Sequence, residues 1–314
     1  MNTLYFVVPC YNEQEVLPET SKRLLAKLMD MISKGMVAED SRILFVNDGS
    51  KDATWSIIEE LHSQDEHYSG LKLSRNKGHQ NAVLAGLTYA AKYADITISL
   101  DADLQDDIDA VDKFVEEYHN GADIVYGVRS ARTTDTAFKR TTAQGFYKVL
   151  EAFGIEIVYN HADYRLMSKR AVEALLDFKE VNLFLRGIVP LIGFKTAKVE
   201  YERHERFAGE SKYPLKKMLN LAIDGITSFS IKPIRFITAA GVVTLGISAI
   251  FFLWMIINAI MWGLNAFLLV LFSMWFLSGI ILLSLGVVGE YVGRMYMETK
   301  ARPRFFIDQF LNKD

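Results

Sequence analysis

The chain has 314 residues, half of them hydrophobic, which is enough for one large or two small domains. Its formal net charge is −3, with 23% charged residues and no long block of one sign. This composition argues against a strongly basic nucleic-acid-binding protein and against a disordered acidic tail. The single cysteine, Cys10, excludes an intramolecular disulfide framework and a cysteine-rich zinc site.

Short apolar runs alternate with helical patterns in the first half of the chain. Strands are predicted at Leu4–Pro9, Arg42–Asn47, Gly70–Ser74, Asp95–Leu100 and Asp123–Gly127. Helices are predicted between them at Glu15–Lys34, Ala53–His62, Gln80–Tyr93 and Ile108–His119. This alternation predicts an α/β fold with a mostly parallel sheet covered by helices on both faces. Ligands bind such sheets beyond the carboxyl ends of the strands, so chemistry is expected there.

Polar segments follow each predicted strand: Pro9–Glu13, Asn47–Asp52, Arg75–Gly78, Asp101–Asp107 and Gly127–Arg129. Each segment alone has an ordinary structural interpretation, because Asp-Gly turns and helix-capping Ser or Asp residues are common. No Gly-x-Gly-x-x-Gly follows the first strand and no Walker A motif occurs. Dinucleotide binding and P-loop binding are therefore not supported.

Two aspartates at the end of the fourth strand are candidate metal ligands. Asp101 and Asp103 offer hard carboxylate oxygens, which suit Mg²⁺ or Mn²⁺. Two residues are few for a site made by protein alone, which fits a cation completed by diphosphate oxygens and water. Such a cation would neutralise charge on a leaving nucleoside diphosphate. The alternative is a solvated helix N-terminus, since Asp106 and Asp107 precede the next predicted helix.

From Phe236 to Gly289 the chain has 54 consecutive residues without Asp, Glu, Lys, Arg or His. A bilayer core needs roughly 20 apolar residues as helix, so this stretch accommodates two spans. We predict them at Phe236–Met261 and Ala266–Val288, with a turn at Trp262–Asn265. Basic residues flank the pair and are absent from the turn, which predicts that both ends are cytoplasmic. The alternative is a pair of buried helices in a soluble core.

The segment Pro214–Ser230, directly before the first predicted span, has apolar residues on one helical face and polar residues on the other. It is predicted to lie in the headgroup region, with a soluble helix packed on the domain as the alternative. Lys216 and Lys217 suit anionic headgroups or an anionic lipid substrate. The predicted organisation is a cytoplasmic domain at 1–213, an amphipathic juxtamembrane helix at 214–231, a two-helix membrane region at 232–289 and a cytoplasmic tail at 290–314.

Three motifs, read with the strand-end segments, resemble a known family: Val8–Glu13, Asp101–Asp106 and Arg206–Tyr213. They are similar to those of the family 2 inverting glycosyltransferases, whose nucleotide-sugar-binding fold is called GT-A. The closer resemblance is to the polyprenyl-phosphate branch, which includes dolichyl-phosphate mannose synthase and the bacterial bactoprenol glucosyltransferases. Phe184–Gly187 followed by two C-terminal spans is typical of the bactoprenol subgroup.

The resemblance implies transfer of one sugar, with inversion, from a nucleotide sugar to undecaprenyl phosphate, giving a lipid-linked donor for cell-envelope glycans. UDP is the nucleotide most usual in the bacterial subgroup. The alternative is a processive polysaccharide synthase of the same fold, but such synthases generally carry Gln-x-x-Arg-Trp, which is absent here. The resemblance further implies a multi-pass protein of the bacterial inner membrane and a homotetramer formed through the C-terminal region.

The resemblance also assigns roles to individual residues. It implies that Mg²⁺ or Mn²⁺ is held by Asp101 and Asp103, with Gln105 as a third protein ligand, and it makes Asp103 a catalytic residue. It places the nucleotide sugar against a set of strand-end residues: Pro9, Tyr11, Glu13, Val46, Asp48, Asp101, Ala102, Asp103, Gln105 and Arg129. Asn76 lies in a short loop that could contact the base, with a plain turn as the alternative.

On the acceptor side, Asp163 matches a position that is the general base in many family 2 enzymes. A phosphate monoester acceptor has a second pKa of about 6 and needs little deprotonation. Asp163 is therefore expected to orient the acceptor or the sugar, with the role of base left open. The residues expected to bind the acceptor phosphate or the diphosphate are Arg206, Lys212, Arg203 and Arg165. His79 and His161 lack ligand spacing with a second His or Cys and are predicted to be structural.

Overall fold

The structure, a computed structural model, describes residues 1–130, 161–180, 184–202, 232–262 and 266–312. Its strands are β1 Leu4–Cys10, β2 Arg42–Asn47, β3 Tyr68–Leu73, β4 Ile96–Ser99, β5 Ile124–Arg129, β6 His161–Ser168, β7 Thr196–Tyr201 and β8 Ile307–Leu311. Its helices are α1 Leu17–Ser33, α2 Thr54–Gln64, α3 His79–Ala90, α4 Ala110–His119, α5 Lys169–Leu176, α6 Leu185–Leu191, α7 Lys232–Trp262 and α8 Ala266–Thr299.

The strands form one sheet in the order β7-β5-β6-β4-β1-β2-β3-β8. Strand β1 pairs in parallel with β2 and β4, β2 with β3, and β5 with β7. Strand β6 runs antiparallel between β4 and β5, and β8 runs antiparallel to β3 at the edge. The predicted α/β fold with a mostly parallel sheet is confirmed.

Strand β1 is almost continuously apolar, and its burial shows why. All seven of its residues are buried, and alternate side chains enter two different cores. Phe6 and Val8 lie in the core with residues of α1, α2 and α4, while Tyr5 and Val7 lie in the core with residues of α3, α5 and α6. Helices therefore cover both faces, as expected of a buried parallel sheet.

Gly86 lets helix α3 lie directly against the sheet. A Cβ atom at Gly86 would lie 2.4 Å from Val7 Cγ1 and 2.8 Å from Val46 Cγ2, so only glycine permits this approach. The close contact fixes the axis of α3 over β1 and β2. It thereby fixes the first residue of the helix, His79, at the carboxyl edge of the sheet.

The segment 290–314, predicted to be a tail, contains the end of α8 and the strand β8. Asn312 Oδ1 accepts hydrogen bonds from Ser69 Oγ at 2.8 Å and from Arg42 Nη1 at 3.2 Å. The ring of Phe310 lies 5.0 Å from that of Tyr89 on α3. The chain therefore returns to the sheet after its two long helices, and the boundary of the first domain is revised to include β8.

Helices α7 and α8 cover the two predicted spans. Among the described residues, one segment, Phe276–Thr299, is long and apolar enough to cross a membrane by length and composition, and none of it is buried. Helix α7 contains a shorter apolar stretch, Ile234–Thr244. The two-span arrangement stays a prediction. The predicted juxtamembrane helix and the predicted turn residues 263–265 lie outside the described residues.

Candidate active site

The carboxyl ends of β1, β2 and β4 lie side by side, which brings the polar segments after them together. The loops after β1 and β2 are joined by hydrogen bonds. The Asn12 N–H donates to Ser50 Oγ at 3.0 Å, and the Lys51 N–H donates to Asn12 Oδ1 at 2.9 Å. Asn12 adopts a left-handed conformation with φ 52°, which asparagine tolerates better than most residues. The two loops thus form one connected rim.

The loop after β3 is tied to the same rim through Asp48 and Gly49. Gly49 has φ 62°, and a Cβ there would lie 2.4 Å from the Asn76 backbone nitrogen. The Asp48 carboxylate accepts the N–H groups of Lys77 at 2.7 Å and Gly78 at 2.9 Å. Burial raises the pKa of Asp48, against the effect of these two hydrogen bonds. Asp48 therefore positions the loop that leads into α3, and its contact with the nucleotide stays a prediction.

The other predicted nucleotide-binding residues differ in their exposure. Pro9 and Val46 are buried in the sheet, Tyr11 and Glu13 are half-buried on the rim, and Asn76 is exposed. The Glu13 carbonyl accepts hydrogen bonds from the start of α1. Their predicted contacts with the base and ribose remain predictions.

The residues Asp101–Asp107 after β4, here called the acidic turn, are held from behind by α1. The Thr20 hydroxyl lies 2.7 Å from the Ala102 carbonyl, to which it donates. The Asp103 carboxylate accepts the Gln105 N–H at 3.2 Å, and Leu104 has φ 57°. The turn is therefore compact, and its conformation is set by groups on both sides.

Negative charge is crowded in the acidic turn. Burial raises the pKa of Asp101, and the neighbouring carboxylates of Asp103 and Asp163 raise it further, while His79 and Arg129 oppose them. Burial and the charge of Asp101 together raise the pKa of Asp106 to about 6. Like-charge crowding of this kind disfavours ionised carboxylates unless a cation offsets it.

Asp101 and Asp103 fit a divalent cation by this crowding and by their hard oxygen donors. Among the described residues, no group of three His, Cys, Asp or Glu side chains is placed to hold a metal ion. The two aspartates therefore fit a cation that takes its other ligands from a bound diphosphate and water. The main-chain N–H of Gln105 bonds to Asp103, and its predicted role as a third ligand is untested.

Strand β6 brings Asp163 to the same edge. Because β6 is antiparallel to β4 with Arg165 opposite Ser99, Asp163 lies across from Asp101. Arg186, on α6, donates from Nε to Asp163 Oδ1 at 3.2 Å and from Nη2 to Oδ2 at 3.1 Å. Arg165 Nη2 donates to Oδ1 at 2.9 Å. These three residues are called the arginine clamp below.

The clamp keeps Asp163 ionised. Burial alone would raise the pKa of Asp163, but Arg186, His79 and Arg165 outweigh it and hold the pKa well below the usual range. The Arg165 side chain is only 4% exposed, so the part of the clamp that reaches the surface is Arg186, at 33%. Arg165 is thus a partner of Asp163, and its predicted contact with the acceptor stays untested.

His79 is a site residue whose place the sequence did not reveal. Its Nε2 lies 3.7 Å from Asp101 Oδ1 and 3.7 Å from Asp163 Oδ2. Burial lowers the pKa of His79, but Asp163 and Asp101 more than offset this and raise it to about 9. The prediction of a purely structural histidine is therefore incomplete, because His79 lies between the acidic turn and the arginine clamp. His161 lies in β6, opposite Val128.

Arg129 closes the site at the end of β5. Its Nε donates to the Tyr201 hydroxyl at 3.3 Å, and Nη2 lies 3.6 Å from Asp106 Oδ1. The Tyr201 hydroxyl donates to the same oxygen of Asp106. Arg129 thus lies at the end of β5 as expected from the sequence, its contact with the nucleotide sugar stays a prediction, and no sequence pattern indicated Tyr201. The predicted acceptor residues Arg203, Arg206 and Lys212 lie outside the described residues.

Residues 5–176 match the model of the family described as Glycosyl transferase family 2. The chain belongs to this family. It is 52% identical over 306 residues to the uncharacterized glycosyltransferase YkoT of Bacillus subtilis strain 168, covering 97% of this chain and 91% of the relative. It is 41% identical over 304 residues to the bactoprenol glucosyl transferase of Shigella phage SfX, covering 96% of this chain and 97% of the relative.

A solved structure of glucosyl-3-phosphoglycerate synthase from Mycobacterium tuberculosis, with Mn²⁺, UDP-glucose and phosphoglyceric acid, aligns with a TM-score of 0.45. It has 18% sequence identity and covers 72% of this chain and 78% of that one. The family assignment follows from the sequence matches. They confirm the predicted family, the polyprenyl-phosphate branch within it and the enzyme class: the protein is a glycosyltransferase.

Proposed function

We propose that this glycosyltransferase moves one sugar from a nucleotide sugar, UDP-linked, to undecaprenyl phosphate with inversion of the anomeric centre. Relatives named bactoprenol glucosyl transferases, 41% identical over nearly the whole chain, support the acceptor. The observation that carries the proposal is the pairing of the acidic turn with the arginine clamp across β4 and β6. One side suits a cation on a diphosphate, and the other suits an anionic acceptor.

In this reaction, a phosphate oxygen of the acceptor attacks the anomeric carbon from the face opposite the nucleoside diphosphate. The carbon–oxygen bond to the diphosphate breaks, and its electron pair leaves with the nucleoside diphosphate. The product is a polyprenyl-phosphate sugar, β-linked if the donor is α-linked. The acceptor phosphate has a second pKa of about 6, so no base is needed at neutral pH. Asp163, kept ionised by the clamp, is accordingly assigned to positioning.

Asp101 and Asp103 would hold Mg²⁺ or Mn²⁺, with Gln105 close by. When bound, the cation supplies positive charge that neutralises the leaving diphosphate. The residues of the chain do the rest of the binding in this proposal. Tyr11 stacks on the base, Glu13 accepts hydrogen bonds from the nucleoside, and Asn76 meets the base from the β3–α3 loop.

Arg129 faces the donor from the end of β5. Its contacts with Tyr201 and Asp106 hold the guanidinium in place at the sheet edge. A guanidinium so placed suits the donor phosphates, because Arg binds phosphate with paired N–H donors.

The proposed anchor is a helical hairpin formed by α7 and α8. Strands β7 and β8 lie before and after the two helices and belong to one sheet, so the chain must cross a membrane an even number of times between them. If Phe276–Thr299 crosses a membrane, a second crossing is needed between these strands, and we assign it to α7. This topology supports two spans with the catalytic domain and both chain ends in the cytoplasm of a bacterium.

Segment 214–231 would hold the sheet edge against the headgroups, with Arg203, Arg206 and Lys212 nearby to meet the lipid phosphate. A homotetramer formed through the C-terminal region is part of the same proposal and rests on the family resemblance. A long polyprenyl tail stays in the bilayer, because each buried CH₂ contributes about 0.8 kcal/mol. The donor must therefore be brought to the membrane surface.

The proposal is tested by incubating the full chain in vesicles with undecaprenyl phosphate, Mg²⁺ or Mn²⁺ and a panel of nucleotide sugars. Mass spectrometry of the lipid products should show undecaprenyl phosphate plus one sugar, with a UDP-linked donor. Products carrying many sugars would instead support a processive synthase. A sugar product with no lipid phosphate attached would overturn the proposed acceptor.

A further inference from the structure

The loop between β3 and α3, Arg75–Gly78, is held on one side by the loop after β2. Asp48, only 3% exposed, accepts the N–H groups of Lys77 and Gly78 at 2.7 and 2.9 Å. A Cβ at Gly49 would lie 2.4 Å from the backbone of this segment, so the two loops are in close contact. The segment is called the donor loop below, because the proposed function brings it to the base of the donor nucleotide.

Strand β8 supports the strand that leads into the donor loop. It runs antiparallel to β3, with Ile307 opposite Leu73. One further main-chain hydrogen bond extends this pairing, because the Ser74 N–H donates to the Phe306 carbonyl at 3.0 Å. Ser74 directly precedes the donor loop. The start of β8 therefore fixes the point at which the loop leaves the sheet.

Strand β8 also supports the helix that follows the donor loop. The half-buried side chain of Ile307 packs against the apolar core that contains Leu73 and the buried residues of α3. Further along the strand, the ring of Phe310 lies 5.0 Å from that of Tyr89 on α3. Both elements that flank the donor loop are thus fixed by one strand. A loop held in this way loses less freedom when a ligand binds, which favours binding.

The chain reaches the donor loop directly from its two long helices. Helix α8 ends at Thr299, and residues 300–306 connect it to β8. Fully extended, this connection spans at most about 25 Å, at about 3.6 Å per residue. Within it, Arg304 Nη2 donates to the Phe178 carbonyl, which attaches the connection to the catalytic domain before β8 begins. The segment that leaves the proposed membrane hairpin is therefore also the segment that supports the donor loop.

We propose that Phe306 and Ile307, at the start of β8, are positioning residues of the donor site, and that they hold the donor loop in the conformation that binds the nucleotide. This inference rests on the proposed function, because the nucleotide contact of the donor loop is part of it. It extends the donor site to a segment that follows the proposed membrane hairpin. The donor site is then complete only when the chain has returned from the hairpin to the sheet.

Hydrogen exchange of the full-length protein without nucleotide tests the support directly. Ile307→Ala removes side-chain packing against both flanks of the donor loop. The amides of Ser74, Lys77 and Gly78 should then exchange about threefold to thirtyfold faster, because their hydrogen bonds open locally more often. Ile307→Val keeps most of the side chain and should restore most of the protection.

Binding and kinetics test whether this support matters for the donor. The dissociation constant for UDP with Mn²⁺, measured by calorimetry, should rise by about threefold to tenfold in Ile307→Ala, because binding must now order the loop. The KM for the nucleotide sugar should rise similarly. The kcat at saturating donor and the KM for a short-chain polyprenyl phosphate should stay within about twofold of the wild type. A merely structural role would instead lower kcat through a smaller folded fraction and leave the donor KM unchanged.

Ile32→Ala is the matched control. Ile32 lies in α1, is also half-buried and packs against the core on the other face of the sheet. The substitution removes the same atoms away from the donor loop. Exchange of the donor-loop amides and the donor KM should equal those of the wild type. Equal acceleration of exchange in Ile32→Ala and Ile307→Ala would show a general loss of stability and overturn the inference.

The same measurements separate this inference from the proposed function. Faster exchange and weaker UDP binding in Ile307→Ala, with no sugar transferred to lipid phosphate by the wild type, would refute the proposed reaction and keep the inference. If the wild type bound another nucleoside diphosphate in place of UDP, the proposed donor would be refuted and the comparison would be made with that nucleotide. Unchanged nucleotide affinity in Ile307→Ala would overturn the inference, whether or not exchange is faster and the lipid product forms. Should Ile307→Ala fail to fold, Ile307→Val carries the test, with smaller shifts of the same sign expected and wild-type values overturning the inference.

Discussion

Asp101 and Asp163 lie across from each other at one edge of the sheet, each 3.7 Å from the same nitrogen of His79, yet their environments act in opposite directions. Burial and two neighbouring carboxylates raise the pKa of Asp101. Arg186, His79 and Arg165 overcome burial at Asp163 and hold its pKa well below the usual range. The two pKa values therefore shift in opposite directions because β6 and α6 supply arginine partners to Asp163, and not because of where each aspartate lies along the edge.

This difference has a functional consequence. A carboxylate among carboxylates attracts a cation, whereas the charge of a carboxylate enclosed by guanidinium groups is already matched. In the proposed function, the donor diphosphate with its cation would lie on the acidic turn, and the arginine clamp would lie on the other side of the same edge. Each of the following predictions alters either the acidic turn or the arginine clamp and leaves the other unchanged.

The largest effect is expected on the acidic turn. Asp103→Asn keeps an oxygen that can accept the Gln105 N–H but removes one negative charge. Transfer should fall by at least about a thousandfold, because a bound metal contributes several kcal/mol to catalysis. The thermal unfolding midpoint should stay close to that of the wild type. Excess EDTA on the wild type should reproduce the loss, and full activity in either case would contradict the metal assignment.

Breaking the clamp should affect stability as well as activity. Asp163→Asn leaves Arg165 buried without its counter-charge, so the free energy of unfolding should fall by about 3 kcal/mol. Transfer should fall by about a hundredfold, because Arg186 loses the carboxylate that positions it. Denaturant unfolding and initial rates measure the two effects. An unchanged free energy of unfolding would show that Asp163 does not offset the charge of the buried Arg165.

The same variant gives a pH test with a definite sign. The folded-state pKa of Asp163 lies below its unfolded value, so its stabilising effect is present above the unfolded pKa of about 3.9 and is lost as the pH falls towards the folded value. The stability gap between wild type and Asp163→Asn should therefore be constant at neutral pH and narrow in acid. A gap that widens in acid would contradict this assignment.

The pH dependence of stability at Asp106, in the acidic turn, should have the opposite sign. Its pKa is raised to about 6, so an ionised Asp106 costs stability at pH 8, and this cost declines as the pH falls from about 6 towards the unfolded pKa of about 3.9. With metal removed, Asp106→Asn should be about 1–2 kcal/mol more stable than wild type at pH 8, and the two should converge only near and below about pH 4. Unfolding curves at several pH values measure this. A difference independent of pH would show that Asp106 does not titrate in this range.

The sequence predicted the acidic side of this comparison far better than the basic side. Asp101 and Asp103 directly follow a predicted strand, and ligands of such sheets bind beyond the carboxyl ends of the strands, which places both residues at the site. Strand β6 escaped prediction because it carries Asp163 and Arg165 in its interior, so that its charge masks the strand pattern. Arg186 was visible only as part of a motif, since the contact that gives it a role joins α6 to β6.

His79 and β8 show the same limit. A single histidine has no ligand spacing, and its partners Asp101 and Asp163 reach it only through the packing of α3 and β6 on the sheet. Strand β8 follows a long apolar helix, and its pairing with β3 depends on the return of the chain. Local patterns therefore predicted elements and strand-end chemistry, while contacts between distant segments had to be observed.

The smallest expected effect tests whether the acidic turn is positioned from behind. The Thr20 hydroxyl is fully buried and lies 2.7 Å from the Ala102 carbonyl, between the two candidate metal ligands. Thr20→Val keeps the volume but removes the donor, which should cost about 1 kcal/mol of stability and leave the Ala102 carbonyl without this partner. A shift of the turn should then weaken Mn²⁺ binding by about threefold to tenfold, since each 1.4 kcal/mol is a factor of ten.

Thr20→Ser, which restores a hydroxyl, is the matched control and should recover the Mn²⁺ affinity. Binding of UDP in the absence of metal should be the same in both variants, because the rim formed by the loops after β1 and β2 has its own hydrogen bonds. If Thr20→Val lost stability but kept its full Mn²⁺ affinity, the acidic turn would be held by its own backbone geometry, and the contrast with the arginine clamp, which depends on distant partners, would be sharper still.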